Sequence, residues 1–187
     1  MKIDLSRRQL LTGSLAAGLL ATTKPVLADD PPAAKPADVE SIDAILKALY
    51  EVISGPKGQA RDWDRFRSLF APDARLIPCR AAVGDEKPLA SIRPMSPDDY
   101  VRLATPAFEK LGFFETEISR KLERFGHIAH AFSTYESREE PDAKPFARGI
   151  NSIQLFYDDK RWWVVTIYWD AETRQQPIPA EYLPKGS

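Results

Sequence analysis

The stretch that decides the fold is Arg148–Asp170, RGINSIQLFYDDKRWWVVTIYWD. Two apolar runs flank a polar turn at Asp158–Arg161, which predicts two long antiparallel strands joined as a hairpin. In the second run, strict alternation sets Trp162, Val164 and Tyr168 on one face and Trp163, Val165, Ile167 and Trp169 on the other. A solvated sheet face would be polar, so both faces are expected to be covered. In the first run, Asn151, Ile153, Leu155 and Tyr157 form the more apolar row and are expected to look inward, with Asn151 a polar group deep in an apolar surround. A slip of one residue would exchange the two faces of either strand.

Working outward, four strand-like segments follow one another at 113–124, 127–138, 146–157 and 162–170. Helical signals precede them. Ile42, Ile45, Leu46, Leu49 and Ile53 share one helical face before the stop at Gly55-Pro56. A short helix follows with Trp63, Phe66, Leu69 and Phe70 on its apolar side, and residues 71–83 turn into a strand. Ser96-Pro97-Asp98-Asp99 combines a capping serine, a first-turn proline and acids near the positive helix end. The helix it starts carries Tyr100, Leu103, Ala107, Phe108 and Leu111. Helices followed by an antiparallel run of strands make an α+β domain, with about three helices from the N-terminal half packed on a curved sheet.

The chain of 187 residues has a hydrophobic fraction of 43% and four tryptophans, enough for one packed domain. Setting aside Lys2, Arg7, Arg8, Lys24 and Asp4 of the first 28 residues leaves 22 basic and 26 acidic residues. That balance, with basic and acidic residues alternating, gives no basic face for nucleic acid. The first 28 residues have the form of an export signal: a charged opening, an apolar run Leu10–Ala21 and a small-residue exit at Val26-Leu27-Ala28. Ser6-Arg7-Arg8-Gln9-Leu10-Leu11 resembles the twin-arginine signal, which implies a periplasmic chain cleaved after Ala28 and free of the membrane thereafter. Residues 29–38 read as a disordered linker, 39–172 as the domain and 173–187 as a Pro-rich tail wrapped on the surface. The single Cys79 can form no internal disulfide and is expected to be a half-buried structural thiol.

The runs WDRFRSLFAPDARLI, FGHIAHAFSTYESR and GINSIQLFYDDKRWWVVTIYWD resemble the NTF2-like superfamily, which includes ketosteroid isomerases and cyclases of the SnoaL type. The resemblance covers about residues 39–172. It implies a cone-shaped pocket on the concave sheet face and, on the convex face, a homodimer contact; the apolar strand Trp162–Trp169 fits that division. The fold itself hosts enzymes, binders and assembly modules alike. Ketosteroid isomerases place a tyrosine on the first helix, matched by Tyr50. Their carboxylate base falls near Pro78, which can take no proton, and no nearby carboxylate is expected to replace it, so proton abstraction next to a carbonyl lacks its base.

Pocket candidates are therefore Tyr50, Trp63, His130, Tyr135 and Asn151. His127 and His130, three apart on a strand, diverge and make a poor metal pair, and no cofactor motif is present. Glu115 and Glu117 share a face and are expected to form a solvated charge ladder with Arg120, Lys121 and Arg124. With the base missing, the leading expectation is a homodimeric, non-catalytic domain that binds a small apolar molecule or serves assembly. The alternative is a cyclase, dehydratase or isomerase. A histidine or acid of displaced pKa inside the cone would turn the balance toward the enzyme.

Overall fold

The computed structural model describes residues 31–80 and 91–185. The expected export signal and cleavage point lie outside the described residues. Helix α1 (Pro36–Val39) is a single turn, α2 spans Ile42–Ile53, α3 Trp63–Ser68 and α4 Pro97–Phe108. The strands are β1 (Phe70–Arg80), β2 (Ser91–Ile92), β3 (Phe114–Phe125), β4 (Ile128–Arg138), β5 (Ala147–Tyr157) and β6 (Trp162–Ala171). They form one six-stranded sheet in the order β2-β1-β6-β5-β4-β3, antiparallel except for the β1–β6 pair.

Local chemistry explains the helix starts. Ser41 accepts from the Ala44 amide at the head of α2, and Ser96 and Asp99 cap α4 reciprocally. The turn α1 falls in the stretch expected to be a disordered linker. It is held because Asp38 receives two bonds of 2.8 Å from the Arg65 guanidinium, and Val39 is buried in the core. Arg61 is almost fully buried and donates to the carbonyl oxygens of Ile53, Gly55, Pro56 and Gln59, which fixes the loop after α2. In α4, Tyr100 and Phe108 pack inward, whereas Leu103 is exposed; Leu111, expected on this helix, lies beyond its end and is exposed too.

The core lies between α2, α3 and the concave sheet face: Ile45, Leu46, Phe66, Leu69, Phe70, Ile153, Leu155 and Val164 are fully buried. Register shifts bend the sheet over it, at Glu117/Ser119 in β3, at Val164/Thr166 in β6 and between Phe70 and Arg75 in β1. The second corrects the expected alternation. Leu155 pairs with Val164 and Gln154 with Thr166, so Val165 is the extra residue and parity changes there. Trp162 and Val164 remain on the concave face, and they are joined there by Ile167 and Trp169, not by Tyr168. The convex row becomes Trp163, Thr166, Tyr168 and Asp170, far less apolar than strict alternation implied.

The chain covers part of that convex face itself. After β6, Glu172 holds Arg148 at 2.8 Å and accepts from the Ile178 amide, and Ile178 is buried. Further on, the Tyr182 carbonyl accepts from Thr134 Oγ1 at 2.7 Å and its ring meets Phe132 edge-on at 5.0 Å. Phe125, Ile128, Phe156, Val165 and Tyr168 stay exposed. Cys79 is half-buried and free.

Candidate active site

Between α2, α4 and the concave sheet lies a cavity of about 300 Å³. Its wall is rich in aromatic side chains, with Tyr50, Phe66, Tyr100, Phe113, Tyr135, Phe146 and Trp169, and its polar groups are Glu115, Ser137, Asn151 and the three phenols. The sheet register accounts for the convergence. Ser133, Asn151 and Trp169 are cross-strand neighbours on one row, and Glu117, Tyr135 and Gly149 form the next. Gly149 is required: a Cβ there would lie 2.5 Å from the Tyr135 hydroxyl and overlap the Asp170 carbonyl.

Three of the five pocket candidates meet here. Tyr50, Tyr135 and Asn151 line the same cavity, and Asn151 Nδ2 donates to Tyr50 Oη at 3.1 Å. Trp63 does not line it; its ring packs against Phe66 and Phe108 at the back of the helices. His130 is on the convex face, bonded to Ser152 Oγ at 2.9 Å, because the inward residues of β4 are Ala129, Ala131, Ser133, Tyr135 and Ser137. His127 faces the Tyr157 carbonyl, and among the described residues no group of His, Cys, Asp and Glu is arranged to hold a metal.

Sequence reasoning assigned Glu115 to a solvated ladder, and the structure corrects this. The carboxyl missing from β1 enters the cavity from β3. Its Oε2 accepts from Ser137 Oγ at 2.9 Å, and no salt bridge forms on it among the described residues. Burial pushes the Glu115 carboxyl up to about 7, and the bonds from Ser137 and Asn151 offset this only in part. Around it, Tyr50, Tyr100 and Tyr135 are all raised above the usual phenol range, first by burial and then by the nearby Glu115 charge. They stay protonated as donors. Tyr50 uses its hydroxyl within the protein, whereas no protein hydrogen bond occupies those of Tyr100 and Tyr135 among the described residues. Glu117, two residues on, does join the ladder, 3.3 Å from Arg120 Nε.

An aromatic-lined cavity with one carboxyl whose pKa is raised to about 7 can deliver or accept a proton, and two free phenols can stabilise a developing oxyanion. Among the described residues no Lys, Arg or His lines the wall, so the charge of an anionic guest would face the Glu115 carboxylate with no cation to offset it.

No protein-family model matches the sequence, and no curated protein matches it. Solved structures do. An NTF2-like protein of unknown function from Pseudomonas putida KT2440 superposes with a TM-score of 0.53 at 12% identity, over 80% of this chain and 99% of that one. The domain has an NTF2-like fold. A protein of unknown function with a cystatin-like fold from Nostoc punctiforme matches with a TM-score of 0.53 at 9% identity, over 71% of this chain and 90% of the other. At such identities the likeness concerns the backbone alone. In this NTF2-like domain the Glu115 site therefore rests on its own geometry.

Proposed function

We propose that the protein is an acid–base enzyme of the isomerase or dehydratase type, acting on a small, uncharged, largely apolar molecule that carries a carbonyl or hydroxyl group. One observation carries this reading: Glu115 is a carboxyl without a salt-bridge partner, with its pKa raised to about 7, in the wall of an aromatic cavity. A purely storage cavity would have no need of a group that burial penalises so heavily. In its protonated form Glu115 donates to the substrate oxygen, and Tyr100 and Tyr135 hold the charge that develops there. This observation supports the enzyme reading over the non-catalytic one favoured by sequence. Trp169 in the cavity wall reports occupancy by its fluorescence. Small cyclic ketones and alcohols should change the signal saturably, and the change should vanish in Trp169→Phe. Carboxylates of the same shape should not. No saturable response to any neutral ring compound would remove the reading.

From the sequence we also propose export by the twin-arginine route, supported by Ser6-Arg7-Arg8-Gln9-Leu10-Leu11; accumulation outside the cytoplasm unchanged by replacing both arginines with lysine would refute it. A homodimer through the convex face is proposed to use the exposed cross-strand row Phe125, Ile128 and Phe156. Sedimentation should then give a dimer that Phe156→Asp dissociates, and a wild-type monomer would end this proposal.

A further inference from the structure

The hydrogens between Tyr50 and Glu117 all point one way. Ser133 has a single hydroxyl proton and donates it to Glu117 Oε1 at 2.6 Å. Its oxygen also lies 2.6 Å from Tyr50 Oη, so with its own proton engaged Ser133 accepts and Tyr50 donates. Asn151 Nδ2 occupies one lone pair of the Tyr50 oxygen, and the other remains free.

Of the three, only Tyr50 borders the cavity, and Glu117 lies in a second groove of about 430 Å³ with Asp43, Lys47, Glu51 and Arg120, a groove whose inner wall is formed by Tyr50 and Glu115. Glu117 stands beside Arg120 Nε at 3.3 Å, and Arg120 Nη2 bonds Asp43 at 2.7 Å. The Glu117 side chain is 22% exposed, and Asp43 and Lys47 beside it are 83% and 76% exposed, so this end reaches water through the groove. Ser133 is completely buried. It therefore does nothing for solubility, and its hydroxyl connects a phenol at the cavity wall with a carboxylate outside the cavity.

We propose that Tyr50, Ser133 and Glu117 form a directional proton relay that carries a proton out of the cavity. A cavity molecule releases a proton to the free lone pair of Tyr50 Oη and keeps the electron pair of the broken bond. In the same event the Tyr50 proton passes to Ser133 Oγ and the Ser133 proton to Glu117 Oε1, so each oxygen loses one O–H bond as it gains another. Glu117 ends as a carboxyl and then yields its proton to water in the groove. Concerted transfer matters, because a separately protonated phenol would be far too acidic to form. Glu117 thus serves as a base at a distance and Glu115 as the acid. One proton leaves the molecule at one position while another arrives at its oxygen, the balance needed for isomerisation or loss of water. The relay rests on the acid–base reading of the cavity, but its test needs no substrate.

The test is exchange of the Tyr50 hydroxyl hydrogen with solvent, read in the full chain from the deuterium isotope shift on the ¹³C-labelled tyrosine ring carbon that bears the hydroxyl. Tyr50 should exchange rapidly in the wild type, and Ser133→Ala and Glu117→Gln should each slow it about tenfold or more. The Tyr100 hydroxyl, buried but off the relay, should exchange equally in all three proteins, which also reports an intact fold. Unchanged or faster Tyr50 exchange in both variants would overturn the relay. So would slow exchange in the wild type. None of these results depends on the Glu115 experiments, so either idea can fail alone.

Discussion

Replacing Glu115 by glutamine should change how stability depends on pH. Glutamine keeps the size of the protonated side chain and still accepts from Ser137, but it cannot ionise. In the wild type, folding raises the carboxyl from 4.5 to about 7. The folded protein therefore holds this proton more tightly than the unfolded chain. The stability so conferred is complete below about pH 4.5 and is lost as pH rises through about 7. At about 1.36 kcal/mol per decade of proton affinity, the full span is about 3 kcal/mol. The groups facing Glu115 are Ser137, Asn151 and the phenols of Tyr50, Tyr100 and Tyr135, with Glu117 on the same strand face; all are retained in the variant. Urea unfolding at pH values from about 5 to about 8.5 should show the wild type losing about 2.5 kcal/mol relative to Glu115→Gln across that range. Parallel profiles would refute the claim that Glu115 is buried without a compensating charge.

Two further substitutions probe the geometry. Gly149→Ala should cost about 1–3 kcal/mol by overpacking and push the Tyr135 ring from the cavity wall, seen as a lowered urea midpoint and an altered near-ultraviolet spectrum; wild-type values for both would contradict the close approach. Val165→Ala should cost under about 0.5 kcal/mol and Ile167→Ala about 1–2, because the bulge separates two residues that strict alternation puts together. Equal losses would mean that β6 has no bulge.

Much of the architecture was legible because each element carried its own signal. The Ser96–Asp99 cap, the apolar face of α2 and the alternation of β5 are local patterns, and the inward row Asn151, Ile153 and Leu155 followed from them. The bulge in β6 was not legible, since Val165 is as good a strand residue as its neighbours and no Gly or Pro marks the break. The face of His130 was hidden for a related reason. Phe132 makes the convex row of β4 look as apolar as Ala129 and Ala131, and only pairing with β5 separates them. Glu115 was missed because charge spacing along β3 matched a surface ladder. Its partners Ser137 and Asn151 are 22 and 36 residues away in the chain. The Tyr50–Asn151 contact joins residues 101 apart, although each was a candidate alone.

The most direct test of the central claim is hydrogen exchange on a substrate-like molecule. A panel of small cyclic ketones would be incubated in deuterium oxide with the protein and with Glu115→Gln, and uptake of deuterium next to the carbonyl followed by mass spectrometry. The acid–base account predicts catalysed uptake into at least one neutral ketone that fits the cavity, falling by about a hundredfold or more in the variant. Uptake at the uncatalysed rate throughout, or equal uptake with both proteins, would contradict it.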